Sequence, residues 1–258
     1  MIKIGPAGSD GLGHLKGLQK VVRMKLDCME VAFTYGVRMR MDIAAQMGAL
    51  ARENGIILSV HAPYFVNLAS DESEKVAASK KRILDACQRA DAMGARNVVF
   101  HAGFYQGQTA RRTYDLIRGA ILDMQEHIVR KGWQLKLCPE TTGKPSQFGS
   151  LAEILGLMDD TGCGITIDFS HLYARQQGTV DYPKLLRKLP RQFHAHFSGI
   201  EYGVKGEKKH VVTQAKDFEP LARQLVKRPL DITLINESPQ PYKDAAMMKK
   251  MLRKYQRQ

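Results

Sequence analysis

Residues 57–67 read Ile-Leu-Ser-Val-His-Ala-Pro-Tyr-Phe-Val-Asn, a short apolar run that leads to His61 and is broken by Pro63. Similar runs recur along the chain, and segments with helix-like spacing of apolar residues separate them. We predict strands at residues 2–5, 29–33, 56–60, 97–100, 133–137, 165–167, 193–197 and 232–235.

The intervening segments are predicted to be amphipathic helices. The clearest covers residues 73–93, where Ile83, Cys87 and Ala90 share one face and Gly94 provides a stop. The other helices are predicted at residues 12–26, 39–54, 114–129, 151–158, 182–189, 218–226 and 245–255.

Strands that alternate with helices imply βαβ units and a parallel sheet. Eight such units in 258 residues match one (β/α)8 TIM barrel, an α/β fold, with residues 1–258 as a single domain. A doubly wound open sheet is the alternative. Against it, Gly8, Gly11 and Gly13 follow a Gly-x-x-Gly-x-Gly order, which is not the dinucleotide-binding order.

The composition is that of a folded globular protein, with 44% hydrophobic and 25% charged residues. The 4 cysteines lie far apart without a Cys-x-x-Cys pair, so we expect them to be reduced and buried. The N-terminal sequence does not have the apolar stretch of a signal peptide, and no segment is apolar enough to span a membrane. We therefore predict a cytoplasmic protein that does not associate with membranes.

The net charge is high, because 39 lysines and arginines against 26 aspartates and glutamates give +13 at pH 7. This charge favours a polyanionic partner. The alternative is a solvated surface that is simply rich in lysine, and composition leaves both interpretations open.

Chemically active side chains follow the apolar runs. In a (β/α)8 barrel the active site forms where the strands end. The chain has only 8 histidines and 26 acidic residues, yet each of six successive apolar runs leads to a histidine or an acidic residue. These residues are His61, His101, Glu140, Asp168, His196 and Glu237, with His171 and His210 nearby in sequence. Imidazoles and carboxylates on one rim predict a site for zinc, manganese or another divalent ion, and a set this rich has ligands for more than one ion.

Structural roles compete with this interpretation at individual positions. For His14, His127 and His194 we predict hydrogen-bonded structural roles, and we expect His194 to point away from the barrel interior. Asp168 stands at a strand end before Phe169 and Ser170, so it is also a candidate helix cap. For the whole set, unpaired charges facing one another would be costly without a cation.

The opening stretch continues as His-Ala-Pro-Tyr-Phe-Val-Asn-Leu-Ala-Ser, and residues 61–70 thereby resemble the His-x-x-Tyr loop of the endonuclease IV family of apurinic/apyrimidinic endonucleases. The family's other motifs follow in order. They are Val-Phe-His-Ala-Gly at 99–103, Pro-Glu-Thr-Thr-Gly at 139–143, Ile-Asp-Phe-Ser-His at 167–171, His-Phe-Ser-Gly at 196–199 and Asn-Glu-Ser at 236–238. The resemblance implies a xylose isomerase-like barrel with a trinuclear zinc site.

The resemblance also implies the ligands of each ion. The first ion is assigned to His61, His101 and Glu140, the second to Glu140, Asp168, His196 and Glu237, and the third to His171 and His210. The family has an Asp-x-His pair at the third site, whereas residues 207–210 read Glu-Lys-Lys-His. Lys208 stands where the aspartate belongs, so the third site is weak or empty unless Glu207 substitutes by a one-residue shift.

The implied activity is metal-assisted phosphodiester hydrolysis on the 5′ side of an abasic site in double-stranded DNA, with Glu140 and Glu237 as catalytic carboxylates. Tyr64 matches the tyrosine that inserts into the DNA stack, and its structural alternative is a hydrogen-bonded rim residue. We predict a monomer. Further candidate DNA-binding residues, each otherwise an ordinary polar or charged surface group, are Arg38, Asn67, Lys144, Arg175, Lys205, Lys208 and Lys209.

Two other functions remain open from sequence. Sugar isomerases and epimerases on a similar barrel hold a single metal with a Glu, Asp, His, Glu set, which Glu140, Asp168, His196 and Glu237 also match. In that interpretation the two glutamates also transfer protons beside a sugar carbonyl. A metal-containing nucleic-acid-binding protein without turnover is the third hypothesis.

Overall fold

Eight parallel strands alternate with helices and close into a barrel, in a computed structural model that describes residues 1–256. Two further strands form a hairpin after the seventh barrel strand. In chain order the strands are β1 (Ile2–Pro6), β2 (Cys28–Ala32), β3 (Ile57–His61), β4 (Asn97–Phe100), β5 (Lys136–Pro139), β6 (Thr166–Asp168), β7 (Gln192–Phe197), β8 (Gly199–Gly203), β9 (Gly206–Val211) and β10 (Asp231–Asn236).

The helices surround this barrel. They are α1 (His14–Arg23), α2 (Met41–Glu53), α3 (Ser73–Met93), α4 (Ala110–Lys131), α5 (Leu151–Thr161), α6 (Phe169–Arg175), α7 (Tyr182–Lys188), α8 (Ala215–Leu225) and α9 (Pro241–Tyr255). Within residues 1–256, no helix combines the length and apolar character needed to cross a membrane.

The barrel is built from two four-stranded parallel sheets, ordered β1-β10-β7-β6 and β2-β3-β4-β5. Parallel bridges from Ala7 to Glu30 and from Glu140 to Thr166 join the two sheets at both seams. The predicted TIM barrel is therefore confirmed, and the alternative of an open sheet is wrong. Closure brings the carboxyl ends of all eight strands to one rim.

The main core lies between the strands and the helices, because alternate strand residues point outward into it. On β3, Leu58 and Val60 belong to the apolar core, whereas Ser59 reaches the barrel interior and hydrogen-bonds Glu30 on β2. All four cysteines are buried and free, as expected.

Most predicted elements match the observed ones, and α3 has the predicted bounds. The fifth strand begins three residues later than predicted, at Lys136, because Gly132 ends α4 and Trp133 then packs against His127. The sequence interpretation did not include α6 or the β8-β9 hairpin.

The expected orientation of His194 is wrong. His194 and His196 are two residues apart on β7, so their side chains share a face, and both lie inside the barrel. His194 remains a hydrogen-bonded residue, as predicted, since its Nε2 lies 2.8 Å from Glu30 Oε2.

Candidate metal centre

A cavity of about 520 Å³ opens at the carboxyl ends of the strands. Its walls include His61, His101, His171, His210 and Glu237. The other three predicted ligands, Glu140, Asp168 and His196, are fully buried and contact these residues, so all eight come together. They fall into three groups whose candidate ligand atoms lie within 4.8 Å of one another.

Glu140 lies at the centre of these groups. Its Oε2 is 3.2 Å from His61 Nε2 and 3.1 Å from His101 Nε2. Its Oε1 faces the other way, 3.2 Å from His196 Nδ1 and 3.3 Å from His171 Nδ1. A carboxylate with both oxygens directed at separate imidazole pairs has the arrangement of a bridging ligand.

Asp168 combines the two roles that the sequence left open. Its Oδ1 accepts a hydrogen bond from the His171 backbone N–H at 2.7 Å and caps α6. Its Oδ2 is buried and has no hydrogen-bond partner among the described residues. This side chain belongs both to the group with Glu140, His196 and Glu237 and to the group with His171 and His210. A cation would satisfy the free oxygen.

The β8-β9 hairpin supplies the third group. His210 Nε2 lies 3.1 Å from His171 Nε2, and Glu207 Oε2 lies 3.4 Å from the same His171 atom. Lys208, which stands where the expected aspartate would be, points elsewhere, with its side chain 62% exposed. Glu207 is therefore the hairpin carboxylate beside the two histidines.

A β-bulge explains how Glu207 reaches this position. In a regular strand, residues three apart point to opposite faces. Here Glu201 pairs with Lys209 and Tyr202 pairs with Glu207, so Lys208 is an extra residue without a ladder partner. The bulge restores Glu207 to the face of His210. Gly143 allows the close approach, since a Cβ there would lie 2.6 Å from Glu207 Cβ.

Three of the candidate histidine ligands have one ring nitrogen beside an oxygen that does not belong to the ligand groups. His61 Nδ1 lies 2.7 Å from the Ala62 carbonyl, His171 Nδ1 lies 2.9 Å from the Thr141 carbonyl, and His210 Nδ1 lies 3.1 Å from Ser198 Oγ. Such partners fix the tautomer and orientation of metal-ligating imidazoles. The donor set and the unpartnered Asp168 oxygen both fit divalent cations.

The charges of the buried groups are strongly coupled. Burial opposes ionisation of Glu140, but the imidazoles of His196 and His101 outweigh it and hold its pKa well below the usual range. Burial likewise disfavours protonation of His61, yet its hydrogen bond to Glu140 raises the pKa to about 9. Burial and neighbouring Glu140 raise the pKa of Asp168. A cation bound at His61 would therefore compete with the proton that Glu140 stabilises there.

Two of the predicted DNA-binding residues, Tyr64 and Lys144, line the cavity, and four others are exposed on the surface. Tyr64 is 48% exposed, with its ring centroid 5.3 Å from that of His61. Lys144 lines the cavity. Arg38 and Lys205 are exposed. Lys208 and Lys209 are also exposed, and they pair with Glu201.

Two candidates have structural partners instead. Arg175 Nη1 donates to the Lys144 carbonyl at 2.7 Å and to the Gln147 carbonyl at 3.1 Å, so it holds the β5-α5 loop. Asn67 Oδ1 accepts from the Phe104 backbone N–H, which ties the loops after β3 and β4 together. These contacts give both residues a structural role, and their predicted contact with DNA stays a prediction.

Sequence reasoning missed Glu30. Its side chain is fully buried inside the barrel, below the metal-ligand candidates, and contacts His194, His196 and Ser59. A glutamate in the middle of the run Cys-Met-Glu-Val-Ala was the available signal, because charged residues are rarely buried without partners.

The fold and the site together define a (β/α)8 barrel with clustered metal-ligand residues at the carboxyl ends of its strands. Residues 18–257 match the family described as "Xylose isomerase-like TIM barrel", and the chain belongs to this family. An uncharacterised protein of Methanocaldococcus jannaschii is 34% identical over 253 residues, covering 92% of this chain and 91% of that protein.

Relatives with endonuclease names are more distant. A "Probable endonuclease 4" of Carboxydothermus hydrogenoformans is 27% identical over 187 residues, covering 69% of this chain and 64% of that protein. The match thus spans less than two thirds of that relative. These relatives confirm the resemblance seen in the motifs.

Solved structures of two functional classes share the fold. Endonuclease IV from Thermus thermophilus superposes with a TM-score of 0.74 at 19% identity, covering 98% of each chain. A D-tagatose 3-epimerase-like protein gives a TM-score of 0.75 at 19% identity, covering 98% of this chain and 96% of that one. At such identities the likeness concerns the fold alone.

Proposed function

We propose that the protein is a zinc-dependent phosphodiesterase that cleaves double-stranded DNA on the 5′ side of abasic sites. The observation that carries the proposal is the presence of three ligand groups joined by Glu140 and Asp168. A single-metal enzyme needs only one of them. The resemblance to relatives named endonuclease 4 supports the same activity.

The candidate ligands are assigned to three cations by their position in the site. His61, His101 and Glu140 would hold one cation, Glu140, Asp168, His196 and Glu237 a second, and Asp168, His171, His210 and Glu207 a third. Bound divalent cations supply Lewis acidity, which activates water as a nucleophile and stabilises charge on phosphate oxygens. Glu140, which is fully buried, and Glu237, in the cavity wall, would supply the negative charge that holds and orients these cations.

The rim suits a polyanion with a displaced nucleotide. Lys144 at the cavity wall, together with Arg38 and Lys205, offers positive charge for phosphates. Tyr64 presents an exposed ring beside the first ligand group, where it would stack next to the lesion. An abasic nucleotide has lost its base stacking, so it leaves the duplex at lower cost than a normal one.

The test uses a duplex with one abasic-site analogue and the zinc-loaded protein. We expect a cut 5′ to the lesion that is lost with a chelator and in His101→Ala, which removes a ligand of the first group only. His127→Ala, on α4 beside Trp133 and away from the cavity, is the matched control and should cut normally. Tight binding without cleavage by the wild-type protein would refute the phosphodiesterase and favour a binding protein.

A sugar epimerase is the second candidate, because the group of Glu140, Asp168, His196 and Glu237 forms a complete four-ligand set by itself. The similar barrel of the D-tagatose 3-epimerase-like protein supports it. The two candidates differ in their response to His101→Ala, which leaves the four-ligand set intact. Epimerisation of a ketose that survives this substitution, with no DNA cleavage by the wild type, would identify the sugar enzyme.

A further inference from the structure

Directly beneath the proposed metal ligands, the barrel interior contains a polar layer. Glu30 on β2, Ser59 on β3, and His194 and Thr233 on β7 and β10 meet there through side-chain hydrogen bonds. Barrel interiors are usually filled with bulky apolar side chains, and a buried carboxylate is costly. A layer of this composition therefore needs a reason beyond packing.

Glu30 has one oxygen that packing does not explain. Its Oε2 is satisfied by Ser59 Oγ at 2.9 Å and His194 Nε2 at 2.8 Å. Its Oε1 lies 3.0 Å from His196 Nε2, and neither of these two atoms has an aligned hydrogen-bond partner among the described residues. The second oxygen is thus directed at His196 alone.

His196 is held between carboxylates on both sides. Its Nδ1 lies 3.2 Å from Glu140 Oε1 and 3.3 Å from Glu237 Oε2, while its Nε2 faces Glu30. An imidazole lone pair directed at a carboxylate oxygen is repelled, whereas an N–H is attracted. When a cation occupies the Nδ1 side, Nδ1 must give up its proton and Nε2 keeps the remaining one beside Glu30.

We propose that Glu30 is a positioning residue, which fixes His196 as the tautomer with Nε2–H toward Glu30 and the Nδ1 lone pair toward a cation held with Glu140, Asp168 and Glu237. The inference rests on the metal binding in the proposed function. His61 has a neutral oxygen partner at its outer nitrogen, the carbonyl of Ala62. His196 has an anionic one, which makes it the more basic ligand.

The first experiment needs no variant. Nitrogen-15 histidine labelling of the wild-type protein loaded with cadmium-113 identifies the metal-bound nitrogen of each histidine through metal–nitrogen coupling. We expect coupling at Nδ1 of His196 and a protonated Nε2, with no coupling at His194. Coupling at Nε2 of His196 or at His194 would overturn the proposal, because the cation would then lie in the group of Glu30, His194 and His196.

The second experiment measures cadmium affinity by chelator competition in Glu30→Gln. We expect one bound ion to be weakened about 10- to 100-fold, the usual effect of losing an outer partner, with the other ions unchanged. Asp27→Asn is the control, since Asp27 lies just before β2 and pairs with Lys249. It should alter stability but no metal affinity.

Unchanged affinity in a folded Glu30→Gln variant would overturn the proposal. If this variant does not fold, the coupling experiment on the wild type decides alone. A wild-type protein that binds cadmium without cutting DNA refutes the proposed activity and leaves the role of Glu30 intact. A wild-type protein that binds no cadmium refutes both the proposed activity and the proposed role of Glu30.

Discussion

Replacement of Glu207 by glutamine tests whether the third ligand group holds a cation. Glu207 lies 3.4 Å from His171 Nε2 and 3.8 Å from His210 Nε2, so its carboxylate would complete a set with Asp168. Glutamine keeps the size and hydrogen-bonding capacity of the side chain but removes its charge. The perturbation therefore affects cation binding more than packing.

The expected loss follows from linkage. Removal of an outer-shell partner typically weakens metal binding about 10- to 100-fold, so loss of a direct charged ligand should cost about 100-fold or more. At a free zinc concentration of about 100 times the wild-type Kd, the third ion stabilises the fold by about 2.7 kcal/mol. A variant with an about 100-fold larger Kd retains only about 0.4 kcal/mol. The difference corresponds to a fall in Tm of about 5–9 °C for a chain of this length.

The assay combines zinc content after dialysis with thermal denaturation in the presence and absence of zinc. We expect three ions in the wild type, two in Glu207→Gln, and a smaller zinc-induced rise in Tm for the variant. Lys208→Gln is the matched control, because the adjacent Lys208 points away from the site and contacts Glu201 instead. A Glu207→Gln variant that keeps three ions, or a Lys208→Gln variant that loses one, would refute the bulge argument.

Two further perturbations address charge and loop structure. The pKa of His61 is raised from 6.5 to about 9, so protonated His61 stabilises the metal-free fold fully below pH 6.5 and progressively less as the pH rises to about 9. Calorimetry should show the Tm of the metal-free protein falling across that window while the zinc-induced rise in Tm grows; a flat profile would contradict this assignment. Arg175→Ala should lower the free energy of unfolding by about 1–3 kcal/mol, because loop carbonyls lose their donor. If the substitution instead leaves stability unchanged and reduces the salt dependence of DNA binding, Arg175 contacts phosphate after all.

The barrel and the set of site residues could be predicted from sequence because both follow from local regularities. Alternating apolar runs and amphipathic segments specify βαβ units, and the barrel brings every strand end to one rim. The position of His61 after its strand was therefore sufficient to place it at the site. His101, Glu140 and Asp168 followed from the same reasoning, without knowledge of any distance.

Features that depend on long-range pairing were not predictable in this way. Glu30 lies in the middle of β2, and only barrel closure brings it near His194 and His196. His194 is 164 residues away from it in sequence. The position of Glu207 depends on a register shift between β8 and β9, which no spacing rule contains. The orientation of His194, by contrast, follows from strand periodicity, and correct use of that periodicity would have placed it beside His196 on the inner face.

The three ligand groups have different structural origins, which bears on how this barrel acquires its function. The group of Glu140, Asp168, His196 and Glu237 stands at the ends of β5, β6, β7 and β10, so the barrel strands alone supply one set of four candidate ligands. His101 begins the loop after β4, and Glu207 and His210 come from a hairpin inserted after β7. Function on a shared fold is decided by such additions. The proposed binding of more than one cation therefore depends on how these additions meet Glu140 and Asp168, and substitutions of Glu207 and His101 test the two additions separately.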